Sequence, residues 1–320
     1  MTKWQWPSIR PKPTSSLTAE ENNLSAGIST HAGNRTRGFR SRRVLELAGL
    51  IGPGLIALFF AFILPVIVIV RMSMNTHGAG GQLISSFSIG AYADALQDPF
   101  YWRVIGNTLL LGLVCGLGAV ILSYPLALFL TRTSSKWKGV LIALAIAPLL
   151  TSAVARTYGW IAILGDQGLF NQVLLGLGIV DSPVRLSNNM AGTMIALVEI
   201  LMPYAVLAMI SGFGRISPAL EEAAGSLGAS RLKVFFRVTL PLSLPGIFTG
   251  FLLVFVLAIS SFVTPRLLGG GRVFILATEV YNEATQTLNW PLASALSIIL
   301  LVLFGALIIL YQRIIKRYEG

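Results

Sequence analysis

The sequence predicts an all-α membrane protein with six transmembrane helices. Three observations carry that class. Of 320 residues, 54% are hydrophobic and only 12% charged, roughly half the charged share of an ordinary soluble domain. The apolar residues gather into runs of about 20, the helix length that crosses a hydrocarbon core. The basic residues fall unevenly on the two sides those runs define.

Taken in chain order, residues 1–43 are rich in Ser, Thr, Asn, Pro and Arg, with little apolar periodicity. They read as a disordered basic tail. Its arginines from Arg35 to Arg43 read as anchors for topology and anionic lipid. Residues 44–320 then form one domain of six spans, expected at 48–70, 105–130, 139–164, 190–212, 244–263 and 292–311. The first begins too late and runs too long to be the apolar core of a cleaved signal. After it, a short amphipathic helix is expected to end on interfacial anchors, Tyr101 and Trp102. Pro65, Pro148 and Pro203 inside spans predict kinks. Two glycine pairs spaced by four, Gly112/Gly116 and Gly246/Gly250, predict faces of close helix packing.

Charge sets the orientation. With the N-terminus in the cytoplasm, 18 of the 24 lysines and arginines fall on inner segments and six on the outer side. That is the positive-inside pattern, and it places both termini in the cytoplasm. The net charge of +11 is divided among short loops rather than gathered on one face, which argues against a nucleic-acid partner. The outer loops carry Asp94, Asp98, Asp166, Asp181, Glu279 and Glu283 against Arg71, Arg103, Arg185, Arg266 and Arg272, a slightly acidic rim.

Several chemistries are excluded. One cysteine, Cys115, permits no disulfide framework, and His31 and His77 lie far apart, so no metal site is expected. No Gly-Lys pair occurs, hence no phosphate-cradling Walker loop, and no His-Glu-x-x-His is present. No nucleophile and base pair stands out. The chain reads as no enzyme, with no catalytic residue and no bound cofactor. Any energetic work must draw on a partner.

The segment 213–243 interrupts the apolar pattern. Ser217-Pro218 is a helix start, Ser as cap and Pro at the first helical position. Leu220, Ala224 and Leu227 fall on one helical face, with Glu222, Gly225 and Ser226 on a neighbouring face of small residues. Gly228 can take positive φ and stop the helix. Ser230 can cap a second, amphipathic helix that Pro241 ends. An interfacial helix pair that only seals the bundle would satisfy this pattern too.

Glu222-Ala223-Ala224, three residues, Gly228, nine residues, then Val238-x-Leu240-Pro241 resembles the EAA loop of permease subunits of binding-protein-dependent ABC importers. Val238 stands where that pattern has Ile. The likeness extends from about residue 45 to the end. Arg156-Thr157-Tyr158-Gly159-Trp160, Gly168-Leu169-Phe170-Asn171, the run from Phe262 to Gly270, and Trp290-Pro291 resemble the spermidine/putrescine branch. The resemblance implies a multi-pass protein of the bacterial inner membrane. It also implies two ABC ATPase subunits that use ATP, a second and homologous permease, and an external substrate-binding protein. Glu222, Ala223, Ala224, Gly228, Leu240 and Pro241 carry over as the ATPase-coupling loop. Related branches import opines, ferric ion, sulfate or phosphonates. A transporter working alone would need its own coupling residues within the spans; apart from Glu199, and Arg156 at a span end, charged residues are missing there, and no inverted repeat is evident.

Glu199 lies inside the fourth span, where an acid is costly. Two readings stand: a structural hydrogen bond to a neighbouring helix, or assistance to a cationic substrate. Tyr158, Trp160, Ser260 and Ser261 could line the same path, or could serve as interfacial anchors and packing residues.

Overall fold

The computed structural model describes residues 51–78, 82–214 and 216–319. The expected tail 1–43, the first three residues of the expected first span and Arg215 lie outside them. The chain divides into two compact units, Met1–Ile67 and Val68–Gly320. The described part of the first is helical and begins α1, Ile51–Ser73.

The second unit opens with a minimal antiparallel pair, β1 (Thr76–His77) and β2 (Leu83–Ile84), in register Thr76 to Ile84. Then α2 (Gly90–Gln97) leads directly into α3 (Pro99–Arg132). Asp98 caps α3 by accepting from the Phe100 N–H at 2.7 Å, and Pro99 takes the first-turn position that needs no donor. At 34 residues α3 is about 51 Å long, longer than the hydrocarbon core, so it projects beyond the apolar stretch at its ends. Tyr101 and Trp102 therefore lie in the first turn of a span, not at the end of α2. Tyr101 is buried and donates to Glu283 at 3.1 Å, so it is a packing residue and not an interfacial anchor.

The expected third span is not one helix. α4 (Lys138–Ile146) runs into a 3₁₀ turn at Ala147–Leu150, and after Thr151 and Ser152 the chain restarts as α5 (Ala153–Leu164) and α6 (Leu169–Gly176). The two halves, Lys138–Leu150 and Ala153–Gly176, meet at 89°. Pro148 within the 3₁₀ turn and the extended backbone of Thr151 and Ser152 end the first helix. Among the described residues five helices are long and apolar enough to span, and the count is six if this bent pair is one span.

The remaining elements are α7 (Met190–Phe213), α8 (Pro218–Ser226), α9 (Arg231–Val234), a π turn (Phe235–Thr239), α10 (Leu240–Ile259), α11 (Val263–Leu268), α12 (Leu276–Thr285) and α13 (Trp290–Glu319). α3, α7 and α10 pack on one another. Leu111, Cys115 and Ala119 of α3 meet Ala196, Leu197 and Met209 of α7 and Val254 and Ala258 of α10 in the core. Lipid is as apolar as leucine, so close fit rather than water exclusion holds such a core. Small residues provide that fit. A side chain at Gly212 would begin 2.6 Å from the Cα of Gly246, so α7 and α10 touch backbone to backbone there. Gly112 and Gly116 face Phe255 and Phe251 of α10. The expected acidic rim is thinner than counted. Glu279 is 5% exposed, with its carboxyl pushed up by burial, and Glu283 is partly buried against Tyr101.

Candidate functional site

Two regions hold the polar side chains that the sequence singled out. One is the 213–243 loop. Ser217 occupies the N-cap position of α8 and Pro218 the first turn, but the Ser217 hydroxyl makes no capping bond. The C-terminus of α8 is closed by its backbone. Gly228 takes φ +81°, its N–H reaches the Gly225 carbonyl at 2.9 Å, and the Ala229 N–H reaches Ala224 at 3.2 Å. This paired arrangement requires a left-handed residue at position 228, and glycine adopts it without strain. No residue of α8 is buried, and Leu227 is 89% exposed, so the described residues leave the face of Leu220, Ala224 and Leu227 largely uncovered.

The second helix of the loop is not separate. α9, the π turn and α10 run continuously from Arg231 to Ile259, so this helix is the lower part of span five. Pro241 does not end it. The π turn closes with Leu240 N–H on the Phe235 carbonyl immediately before Pro241, and the proline falls within the first turn of α10. A wide turn just ahead of a residue that lacks an N–H lets the helix continue past it.

The two adjacent glutamates behave differently. Glu221 takes both terminal nitrogens of Arg132, at the end of α3, in a fork-to-fork ion pair and also accepts from the Thr239 hydroxyl. The Arg132 guanidinium, then Thr239, hold its carboxyl below the usual range against an opposing desolvation. Glu222 is exposed, and among the described residues its carboxylate has no hydrogen bond or ion pair. Together with Arg132, Gly225, Arg231 and Phe235 the glutamates line a groove of 440 Å³.

The second region lies between α5, α7 and the 3₁₀ turn. The Trp160 indole donates to Glu199 Oε2 at 3.0 Å. Arg156 lies one turn back on α5. Its Nη1 donates to the Pro148 carbonyl at 2.8 Å, across the break in the bent span. Its Nη2 is 3.8 Å from Glu199 Oε2, too far for a hydrogen bond. Nε and Nη2 are buried without a hydrogen-bond partner among the described residues, and the Glu199 side chain is 44% exposed. Arg156 also lines a cavity of 280 Å³ with Thr151, Tyr204 and Ser261.

Residues 109–319 match the family model of the binding-protein-dependent transport system inner membrane component. The chain belongs to this family. It is the permease of a binding-protein-dependent ABC importer, a multi-pass component of the inner membrane. Such permeases are not themselves catalytic and bind no cofactor. The permease is similar to the spermidine/putrescine transport system permease protein PotB of Haemophilus influenzae, 33% identical over 80% of this chain and 89% of that one. The PotB of Escherichia coli is 33% identical over 78% of this chain and 90% of its own. Among solved structures, a bacterial transporter involved in the import of alginate shares the fold at TM-score 0.66 and 18% identity, covering 89% of this chain and 99% of that one.

In the permease, then, Glu222, Ala223, Ala224 and Gly228 share one exposed helix and its turn, whereas Leu240 and Pro241 belong to span five. Glu199 and Trp160 are in contact, and Ser261 shares the Arg156 cavity. Tyr158 is exposed and makes no part of that cluster, and the Ser260 hydroxyl turns back to the carbonyls of Val256 and Leu257. Sequence reasoning passed over Glu221, Arg132, Thr239 and the role of Arg156. The one available signal was a repeated glutamate, and spacing selected its second member.

Proposed function

We propose that the permease moves polyamines of the spermidine and putrescine class. The observation that carries this reading is the similarity to PotB permeases over most of both chains. A half-exposed carboxylate within a span supports it. Among the described residues Glu199 accepts one hydrogen bond, from Trp160, with Arg156 at ion-pair distance, so it keeps lone pairs that can accept the ammonium groups of a passing cation. Trp160 orients the carboxylate, and Ser261 lies beside the same path. Both termini are cytoplasmic in this reading, and 44–320 is the permease domain.

The exposed face of α8 docks an ATPase subunit, with Glu222 the contact and Gly228 the turn that sets the angle of the helix. A second, homologous permease completes the path, and an external binding protein delivers the substrate. ATP closing the ATPase pair displaces α8 and favours one permease state over the other. Transport needs that difference in affinity between states, and no tightness of binding alone supplies it.

Glu222→Arg is expected to insert and fold normally but to lose stimulation of ATP hydrolysis by loaded binding protein. Reconstituted proteoliposomes measure this, and stimulation equal to wild type would sink the docking role. Calorimetry of the cognate binding protein tests the ligand: micromolar or tighter binding of spermidine or putrescine is expected, and silence toward both overturns the polyamine reading.

One observation favours a second reading. Nε and Nη2 of Arg156, without a hydrogen-bond partner among the described residues and beside a cavity with Thr151 and Ser261, suit an anion such as sulfate or a phosphonate. Paired variants separate the two. A cation path loses uptake in Glu199→Gln, and an anion path loses it in Arg156→Gln with Glu199→Gln near wild type.

A further inference from the structure

We infer that Glu221 is the positioning residue that fastens the coupling helix to the bundle, acting through Arg132 on α3 and Thr239 in the π turn of span five. The inference rests on the reading of α8 as the ATPase-docking helix. It assigns Glu221 a task distinct from that of its neighbour Glu222.

A helix of nine residues is too short to be stable alone in water. α8 buries no side chain that would hold it by packing. On its C-terminal side the backbone link is a turn, with Gly228 at positive φ. Turns of this kind transmit displacement poorly because a small change in φ or ψ absorbs it. Among the described residues, the Glu221 carboxylate is the side-chain tie that crosses from α8 to a span, and it crosses to two.

The tie is also stiff. Exposed ion pairs generally contribute little, because two long side chains must be held in one geometry. Here the geometry is fixed from three directions. Arg132 engages both carboxylate oxygens with two nitrogens, Thr239 donates to one of those oxygens, and the Glu221 side chain is only 17% exposed. The forked pair constrains orientation as well as distance. Arg132 stands in the last turn of α3, where a cation is favoured by the helix dipole, so its own backbone is well anchored.

The attachment points matter. Arg132 ends α3, the longest span among the described residues, whose far end packs with α12 and α13. Thr239 closes the π turn just before Pro241, a stretch of span five whose hydrogen bonding departs from the α pattern. A pull on Glu221 therefore reaches α3 at its end and α10 at its most irregular turn. Glu222, on the exposed side of α8, is free to face the partner. One glutamate receives the displacement and the next passes it on.

The test uses the complete transporter purified with its partners and reconstituted in proteoliposomes, reading substrate uptake and ATP hydrolysis on the same vesicles. Glu221→Gln is expected to lower uptake per ATP roughly tenfold, within the span usual for coupling between sites, while hydrolysis continues. The exchange Glu221→Arg with Arg132→Glu is expected to recover the ratio relative to either single change. A wild-type ratio in Glu221→Gln overturns the proposal, and so does an exchange no better than its single components. If Glu221→Gln does not assemble, Thr239→Val carries the test. A ratio lowered about threefold supports the tie, in proportion to one lost hydrogen bond, and an unchanged ratio overturns it. Failure of the docking reading shows itself separately: wild-type permease would then purify without an ATPase.

Discussion

Two glutamates of this permease meet an arginine, and the two meetings are unlike. Glu221 holds Arg132 by both oxygens and is only 17% exposed. Glu199 stands 3.8 Å from Arg156, is 44% exposed, and among the described residues accepts a single hydrogen bond, from an indole. The first carboxylate is saturated and fixes two helices to a third. The second is undersaturated and keeps acceptor capacity for something that arrives. A saturated pair suits a joint; a loose pair suits an exchange site. The same two side-chain types thus serve opposite purposes, and only distance and exposure separate them.

The comparison can be broken most directly at Glu199. If it is an exchange site, Glu199→Gln lowers uptake of a polyamine by about tenfold or more, since charged hydrogen bonds contribute ~1.5–3 kcal/mol. Normal membrane assembly with undiminished uptake would return Glu199 to a structural role. A smaller loss is expected from Trp160→Phe, which keeps the ring and removes the donor. Uptake should fall a few-fold, mainly through KM, as a carboxylate that loses one neutral hydrogen bond is less well oriented. No change in KM would detach the indole from the path.

The smallest effect sharpens the other side. Because Arg132 depresses the Glu221 carboxyl below its ordinary value of 4.5, the stability it contributes is complete above that value. It is lost only as pH falls through the lowered one. The difference in unfolding midpoint between wild type and Glu221→Gln in detergent should stay constant from neutral pH down to the ordinary carboxylate range. It should narrow below that range, and it corresponds to about 1 kcal/mol or less. A difference that instead grew on acidification would contradict the ion pair.

Most of the span pattern was legible in the sequence because hydropathy registers the bilayer directly. The break at Thr151 and Ser152 was not. The residues around it are apolar enough to pass as one span, and Pro148 alone predicts a kink rather than a near right angle. Tyr101 misled for a related reason. Its position beside Trp102 fits an interfacial belt, but a partner 182 residues away, Glu283, draws it into the packing. At the loop, spacing singled out Glu222 as the member of the motif. Spacing says nothing about Glu221, whose partner Arg132 is 89 residues distant on another helix. Local pattern reveals helices, caps and the left-handed turn at Gly228. Ties between elements depend on which helix ends are brought together, and that is a property of the packed bundle.

The backbone contact of Gly212 with Gly246 has a consequence for leverage. It lies close to the loop end of both α7 and α10, with no side chain between them to serve as a cushion. Two smooth surfaces in contact can roll over each other while staying together. From Gly212 to the other end of α7 at Met190 is about 33 Å, so rolling through about 10° there sweeps that end through about 6 Å. A fulcrum set so near one end converts a short stroke into a long one, and it does so at the end where the loop lies.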